Sequence, residues 1–307
     1  MSLIVLGSMA FDAIETPFGK NNRTIGGAAT YISWSASNFT RPINQISVVG
    51  GDFPKEELKM LEARGVIMEG VQIKEDEKSF FWSGKYHMDM NTRDTIDTQL
   101  NVLANFQPVL PESYQSSEYL MLGNLVPAVQ MSVIKQMKTK PRLTVLDTMN
   151  FWMETALHDL EEVLKHVDVL MVNDSEARQL SGQYSLVKAA RQILKMGPTY
   201  LIIKKGEHGA LLFHEEQVFV APALPLEDVF DPTGAGDTFA GGFIGHIVRT
   251  KDISFENMKS AIIVGSAMAS FCVEKFGADS LKEIGHTEIE RRLQQFKELV
   301  HFDIELV

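Results

Sequence analysis

The sequence predicts an α/β fold with a mostly parallel β-sheet and helices on both of its faces. Short apolar runs that are typical of buried strands alternate with helical patterns along most of the chain, and this alternation indicates a parallel sheet. Two polar, turn-rich segments interrupt it, at about residues 11–25 and 70–105. The length of 307 residues and the hydrophobic content of 45% fit one large domain over residues 1–307.

The strands and helices follow each other in a regular order. A buried strand is predicted at residues 3–7, a helix rich in small residues at 26–39, a second strand at 43–51 and a helix at 54–64. Later strands are predicted in the runs EYLMLGN, RLTVLDT, VDVLMVN, TYLIIKKG, GALLFHE and QVFVA, of which the last three come in close succession. Later helices are predicted in AVQMSVIKQMK and at residues 174–196, 237–250, 254–275 and 286–299.

The clearest piece of the interrupting segments is SFFWSGKYHMDMN, residues 79–91. Strict alternation along this run predicts a half-buried antiparallel strand. One face of the strand would carry Phe80, Trp82, Tyr86, Met88 and Met90. Such a strand serves as a lid over a site, as a dimer surface, as both, or as an edge strand of the main sheet.

Composition excludes several classes of function. The 29 Lys and Arg residues against 40 Asp and Glu residues give a net charge of −11, which disfavours binding to nucleic acid or to an anionic membrane. Cys272 is the only cysteine, so an intrachain disulfide or a cysteine-based metal site is excluded and a reducing compartment is favoured. No run reaches the roughly 18 apolar residues of a membrane span. We expect a cytoplasmic protein.

The stretch DPTGAGDTFAGGF, residues 231–243, carries the strongest functional signal. Three glycines inside its helical part cost on the order of 3 kcal/mol, which implies close backbone approach to a neighbouring element or to a ligand. Gly234 and Gly236 permit a turn whose amides point inward at a helix N-terminus, and such a turn binds anions, most often phosphate. Asp237 at the helix start either caps the helix or acts as a base on a substrate hydroxyl.

These residues resemble the ribokinase-like (PfkB) family of carbohydrate and nucleoside kinases. DPTGAGDTFAGGF is similar to the C-terminal signature of that family, D-T-x-G-A-G-D-x-F, and TIGGAATYIS (24–33) resembles its N-terminal signature. Further matches occur in the family's order at GSMAFD, VVGGD, MVNDSEA, KKGEHGA and FGA. The resemblance implies a doubly wound core, a small β-sheet lid formed by the segments 11–25 and 70–105, and transfer of the γ-phosphoryl group of ATP, with Mg²⁺, to a hydroxyl group.

The resemblance also implies a role for individual residues. Asp237 would be the general base, and the backbone of residues 233–236, with Gly234, Ala235 and Gly236, would form the anion hole. The nucleotide and the waters of Mg²⁺ would be bound by Asn173, Glu176, Lys205, Gly206 and Thr233. The substrate pocket would be lined by Asp12, Gly26, Gly27, Tyr31 and Asn124. Asp231 matches a position near a monovalent-cation site, for an ion such as K⁺, in some members.

Alternatives remain for the substrate and for the function. Ala10 and Tyr31 replace asparagines that are frequent in sugar-specific relatives, and Asn124 replaces an acidic residue of ribose-type enzymes, which favours a nucleoside or a bulkier polyol over ribose. A phosphosugar kinase would need further cations, for which Lys85 and Arg93 are candidates, and His87 is a further candidate for specificity. The alternative that is not an enzyme is a catalytically silent sensor that binds a nucleotide or a sugar. The resemblance also implies a possible homodimer, since family members often form dimers through their lids. Asn173 and Glu176 also fit a simple helix cap.

Overall fold

The computed structural model describes residues 2–301 and residue 303. Its strands are β1 Leu3–Leu6, β2 Ala10–Thr16, β3 Gly19–Gly26, β4 Ile43–Gly50, β5 Val66–Lys74, β6 Phe80–Tyr86, β7 Arg93–Gln99, β8 Tyr119–Leu122, β9 Leu143–Asp147, β10 Val169–Asn173, β11 Tyr200–Lys204, β12 Ala210–His214 and β13 Gln217–Ala221. Its helices are α1 Ala28–Ala36, α2 Lys55–Ala63, α3 Pro127–Gln136, α4 Asn150–Thr155, α5 Leu157–Leu164, α6 Asp174–Ser181, α7 Leu186–Leu194, α8 Ala235–Thr250, α9 Phe255–Cys272, α10 Asp279–Glu283 and α11 His286–Val300.

The main sheet has nine strands in the order β13-β12-β11-β10-β9-β8-β1-β4-β5. All neighbouring pairs are parallel except those of β12, which is antiparallel to both β11 and β13. The chain passes from β1 to β4 on one side and returns to β8 on the other. The predicted α/β fold with a mostly parallel sheet is therefore confirmed, and the carboxyl ends of its strands form the crevice in which such sheets bind ligands.

Helices cover both faces of the main sheet because its strands alternate their side chains between two apolar cores. Leu3 and Val5 of β1 belong to one core, with α1, α8 and α9, whereas Ile4 and Leu6 belong to the other, with α3, α5, α6 and α7. Strands buried on both faces have continuous apolar sequences, which is why β1 and β8 are readily found in the sequence. None of the helices within residues 2–301 is long and apolar enough to cross a membrane.

The glycines inside α8 permit backbone packing between helices. A Cβ atom on Gly241 would lie 2.4 Å from the carbonyl oxygen of Ile32 in α1. Equivalent atoms would lie 2.8 Å from the Met268 side chain for Gly242 and 3.1 Å from Ala36 for Gly245. Of the two explanations for these glycines, close approach to neighbouring helices is the one that the structure supports.

A separate four-stranded sheet, in the order β3-β2-β6-β7, forms the lid. Strand β6 pairs antiparallel with β7 but parallel with β2, so the alternative of an edge strand on the main sheet is wrong. Residues 70–74 of the predicted second lid segment belong instead to β5 of the main sheet.

The strand predicted over residues 79–91 is longer than the strand in the structure, which is Phe80–Tyr86. Strand β6 ends at Tyr86, and Met88 in the following turn is 76% exposed. Asp89 causes the turn, because its carboxylate accepts hydrogen bonds from the amides of Asn91 (3.1 Å) and Thr92 (2.8 Å). Side chains that bind nearby backbone amides in this way compete with strand pairing.

Candidate active site

The site lies where the carboxyl ends of β9, β10 and β11 meet the N-terminus of α8, below the lid. The Thr233 hydroxyl, just before α8, donates a 3.2 Å hydrogen bond to the Tyr86 hydroxyl of β6. Asn91, in the turn after β6, lies above Gly206, since a Cβ atom on Gly206 would be 2.2 Å from the Asn91 Oδ1 atom. The lid thus contacts both the glycine turn of residues 231–236 and the loop after β11.

Two backbone amides of the glycine turn have no hydrogen-bond acceptor among the described residues. The Thr233 amide donates to Asp231 Oδ1 (2.8 Å) and the Ala235 amide to the Pro232 carbonyl (3.2 Å). Within the part of the chain that the structure describes, the amides of Gly234 and Gly236 donate no hydrogen bond. Unpaired amides at the N-terminus of a 16-residue helix attract an anion.

Tyr31, expected in the substrate pocket, lies beneath this turn. Its side chain is buried, and its ring lies 2.4–2.5 Å from where a Cβ atom of Gly234 would be placed. Gly234 has φ of 76°, a conformation that favours glycine. The Tyr31 hydroxyl has no hydrogen-bond partner among the described residues. In this position Tyr31 supports the backbone of the turn.

Asp237 lies in the first turn of α8, whose N-cap residue is Gly234. The Asp237 side chain makes no hydrogen bond to the described residues, so it does not cap the helix. Burial of the carboxyl group and the nearby Asp147 carboxylate raise the pKa of Asp237 to about 7, although Lys204 and Arg93 oppose this shift. A carboxylate with a pKa near neutrality is suited to accept a proton.

Asp12 of β2 is buried beside the glycine pair that was predicted with it. A Cβ atom on Gly26 would lie 1.9 Å from Asp12 Oδ2, so only glycine fits there, and Gly27 has φ of 92°. Burial raises the pKa of Asp12 to about 8, with further contributions from Asp231 and Asp237, against the Gly27 amide and Arg93. Asp12, Asp231 and Asp237 therefore form one group of acidic side chains.

Asn124, after β8, binds an aromatic residue that the sequence had not singled out. Its Oδ1 atom accepts a 2.8 Å hydrogen bond from Trp152 Nε1, and its Nδ2 atom is 3.0 Å from Met149 Sδ. Trp152 packs edge to face on Phe151, which is 48% exposed. The sequence signal for the Asn124–Trp152 pair is the run FWMETA, in which two adjacent aromatic residues follow shortly after a buried strand.

Asn173 and Glu176 form a capping box at the start of α6, as the simpler interpretation predicted. The Glu176 amide donates to Asn173 Oδ1 (2.8 Å) and the Asn173 amide to Glu176 Oε2 (2.7 Å). The Glu176 Oε1 atom accepts no hydrogen bond from the residues described. The cap therefore occupies only one of the two carboxylate oxygens. Burial raises the pKa of Glu176.

The loop after β11 contains Lys205 and Gly206. The Lys205 amide donates to the Gly209 carbonyl (2.8 Å), and Gly206 has φ of 55°. The preceding residue, Lys204, was not predicted from the sequence as a site residue. Its ammonium group lies 2.8 and 2.9 Å from the two carboxylate oxygens of Asp147, which was also missed. Asp147 and Lys204 each stand at the end of a run that predicts a buried strand. Because the carboxyl ends of parallel strands lie at the same edge of the sheet, the sequence could have placed these two residues near each other.

The three basic side chains of the lid that were predicted as candidates differ in their surroundings. Lys85 pairs with Glu15 at 2.6 Å and His87 with Asp94 at 2.9 Å, both on the exposed surface of the lid. The Arg93 guanidinium lies 5.7 Å from the centre of the Trp82 ring and lowers the pKa values of Asp12 and Asp237. Of these three, Arg93 alone acts on the acidic group of the site, which weakens the case for a phosphosugar pocket built from Lys85 and Arg93.

Comparison with known proteins assigns the chain to a family. The model of the pfkB family of carbohydrate kinases matches residues 2–284. The chain belongs to this family. The pfkB assignment makes the protein a phosphotransferase with an alcohol group as acceptor, of the kind that acts on sugars or nucleosides, and disfavours the catalytically silent sensor.

Individual relatives of this pfkB protein cover nearly all of it. It is 27% identical over 281 residues to the cytidine kinase of Thermococcus kodakarensis, covering 90% of this chain and 98% of the relative. It is 24% identical over 307 residues to the nucleoside kinase of Methanothermobacter thermautotrophicus, covering 91% of each. Its fold is similar to that of the aminoimidazole riboside kinase of Salmonella enterica, whose structure was solved with aminoimidazole riboside and an ATP analogue. The TM-score is 0.76 at 19% sequence identity, and the match covers 95% of this chain and 100% of that chain.

Proposed function

We propose that this protein is an ATP- and Mg²⁺-dependent nucleoside kinase in which Asp237 removes the proton of a ribosyl hydroxyl. The observation that carries the proposal is the position of Asp237. Its side chain makes no hydrogen bond to the described residues, and it lies beside the Gly234 and Gly236 amides, which have no acceptor among those residues. A base and an anion-binding turn at one helix end would bring the attacking hydroxyl and the phosphoryl group together.

The electrostatics of the site support this role for Asp237. Because its pKa is raised to about 7, the Asp237 carboxylate gains a proton more readily than an ordinary aspartate. The same helix end would stabilise the negative charge of the phosphoryl group during transfer through the Gly234 and Gly236 amides. The chain thus supplies a proton acceptor and an anion hole in one turn.

The residues present fit a nucleotide with its magnesium ion. Unpaired amides at the α8 N-terminus fit phosphate oxygens, and the free Oε1 atom of Glu176, with Asn173, fits a water molecule of the ion. No three His, Cys, Asp or Glu side chains among the described residues are grouped to bind a metal directly. When bound, Mg²⁺ neutralises phosphate charge. Lys205, Gly206 and Thr233 complete the proposed nucleotide site.

A nucleoside is the acceptor that the pocket and the relatives favour together. Asp12, held against Gly26 and Gly27 with a pKa of about 8, is largely protonated at neutral pH, so it can both donate to and accept from sugar hydroxyls. The Phe151–Trp152 pair, anchored by Asn124, offers an aromatic surface for a base. Cytidine and nucleoside kinases are among the relatives that cover nearly the whole chain.

The proposal includes a monovalent cation near Asp231. This carboxylate is fully buried and accepts two amide hydrogen bonds, from Thr233 (2.8 Å) and Gly277 (2.9 Å). Burial raises the pKa of Asp231. Each of its oxygens has a second lone pair for a cation, which would favour the charged carboxylate.

The acceptor is identified by measuring ADP release from MgATP with nucleosides, pentoses, hexoses, inositols and phosphosugars. We expect strong turnover on a nucleoside and at least about tenfold lower kcat/KM on free ribose, because ribose lacks the base that the aromatic pair would bind. The same assay in potassium chloride and in choline chloride tests the cation, with higher rates expected in potassium. Turnover restricted to free sugars or phosphosugars would contradict the nucleoside assignment.

The rate should depend on pH through Asp237. Because the base acts in its deprotonated form and its pKa is raised to about 7, kcat/KM should rise about tenfold per pH unit below that value and level off above it. The measurement is a profile of kcat/KM for the acceptor from pH 5 to 9 at constant ionic strength. A profile that stays nearly flat down to pH 5, as for an aspartate with an ordinary pKa near 4, would argue against this assignment of the base.

A further inference from the structure

We propose that Lys204 is a further catalytic residue whose ammonium group binds the terminal phosphoryl group of the nucleotide, and that Asp147 is its positioning residue. The inference deepens the proposed function at the same site and rests on it. It assigns a fixed cation to the anion-binding turn, which so far contains only backbone amides.

The two residues meet because of the strand register. Asp147 ends β9 and lies opposite Met171 of β10, while Lys204 ends β11 and lies opposite Asn173 of β10. The Lys204 side chain reaches across the end of β10 to both oxygens of Asp147, at 2.9 and 2.8 Å. The parallel sheet thus places a lysine–carboxylate pair at its carboxyl edge, where ligands of such sheets bind.

The ammonium group also lies beside the glycine turn. A Cβ atom on Gly236 would be 3.0 Å from Lys204 Nζ, so the cation is close to the unpaired Gly236 amide. An ammonium group has three N–H donors, and the carboxylate oxygens of Asp147 are its two hydrogen-bond acceptors among the described residues. One donor therefore remains for a ligand that binds at the N-terminus of α8.

Burial and charge argue for a use beyond holding the strands together. The side chains of Lys204 and Asp147 are 18% and 7% exposed, and a buried ion pair is weak evidence for stability because desolvation offsets the attraction. The site brings the carboxylates of Asp147 and Asp237 near each other, and these negative charges would repel an incoming polyphosphate. Lys204 is the cation already fixed among them, whereas Arg93 belongs to the lid.

The test measures binding by calorimetry with a non-hydrolysable ATP analogue, ADP and adenosine. Lys204→Met should weaken binding of the ATP analogue by about 10- to 100-fold, the usual range for a hydrogen bond to a charged group, and weaken ADP far less and adenosine not at all. Lys204→Arg should restore part of the affinity. The matched control is Lys138→Met, which breaks an exposed pair with Glu112 (2.7 Å) and should change none of the affinities.

A second readout separates catalysis from a structural role. Lys204 lowers the pKa of Asp237 and Asp147 raises it, so the acid limb of the pH–rate profile should move up in Lys204→Met and down in Asp147→Asn. If Lys204→Met binds the ATP analogue and ADP as the wild type does, and only its melting temperature falls, the pair is structural and the proposal is wrong. A wild-type protein that binds neither nucleotide would overturn the proposed function and this inference together.

Discussion

Asp237→Asn is expected to lower kcat by about 10²- to 10⁴-fold, the range that general-base catalysis contributes. Asparagine retains the shape of the side chain but cannot accept the hydroxyl proton at neutral pH. Because the glycine-turn amides and Lys204 are untouched, MgATP affinity should change less than about threefold. Initial rates on the best acceptor and calorimetric titration with MgATP measure the two effects separately.

Asp159→Asn is the matched control for this variant. Asp159 also lies in the first turn of a helix, α5, but its side chain is exposed. Its replacement should leave both kcat and MgATP affinity unchanged. Near-wild-type turnover in Asp237→Asn would remove Asp237 from the role of base, and a parallel loss of MgATP binding would mean that its contribution is to nucleotide binding.

The second large effect is expected from Gly234→Ala. The backbone of Gly234 has φ of 76°, and the added Cβ atom would lie 2.4–2.5 Å from carbon atoms of the Tyr31 ring. Left-handed backbone costs an L-residue about 1–2 kcal/mol and overpacking about 1–3 kcal/mol, so we expect the free energy of unfolding to fall by about 2–5 kcal/mol. Activity should fall with it, because the amides that we propose to bind the phosphoryl group belong to this turn.

Gly182→Ala separates backbone strain from the clash. Gly182 has φ of 67° after α6, and a Cβ atom there would meet no atom within 4 Å. Its replacement should cost only the backbone component, about 1–2 kcal/mol, with normal activity. Urea unfolding of both variants measures the difference. Equal losses in the two would show that the Tyr31 contact adds nothing, and that the ring does not constrain the turn.

The order of strands and helices could be predicted because it depends on local periodicity. Continuous apolar runs such as β1 and β8 are buried on both faces, and their residues indicate this directly. The end of β6 could not be predicted by alternation, because Asp89 binds the amides of the following residues and starts a turn. The pattern of apolar residues gives no information on whether a backbone amide will bind a neighbouring side chain or pair with a strand.

The candidate site was predictable where a motif is continuous in sequence. Residues 231–237 form one turn, so their glycines and aspartate indicate an anion site without tertiary information. The Asp147–Lys204 pair joins strand ends that are 57 positions apart, and only the sheet register brings them together. The burial of Tyr31 also depends on tertiary packing. From the sequence alone, an aromatic residue in α1 could equally line a pocket or lie buried beneath the glycine turn.

The backbone contact between α8 and α1 has a consequence for how new substrate preferences arise. Gly241 and Gly245 let α8 pack so closely on α1 that there is no room for a Cβ atom at Gly241 and little at Gly245, and α1 begins directly after the Gly26–Gly27 pair that borders Asp12. The proposed proton acceptor, on α8, and the proposed floor of the acceptor pocket, at the start of α1, therefore lie on two closely packed helices. We expect adaptation to larger or smaller acceptors to occur in the lid strands β6 and β7, where side chains can vary without disturbing this contact.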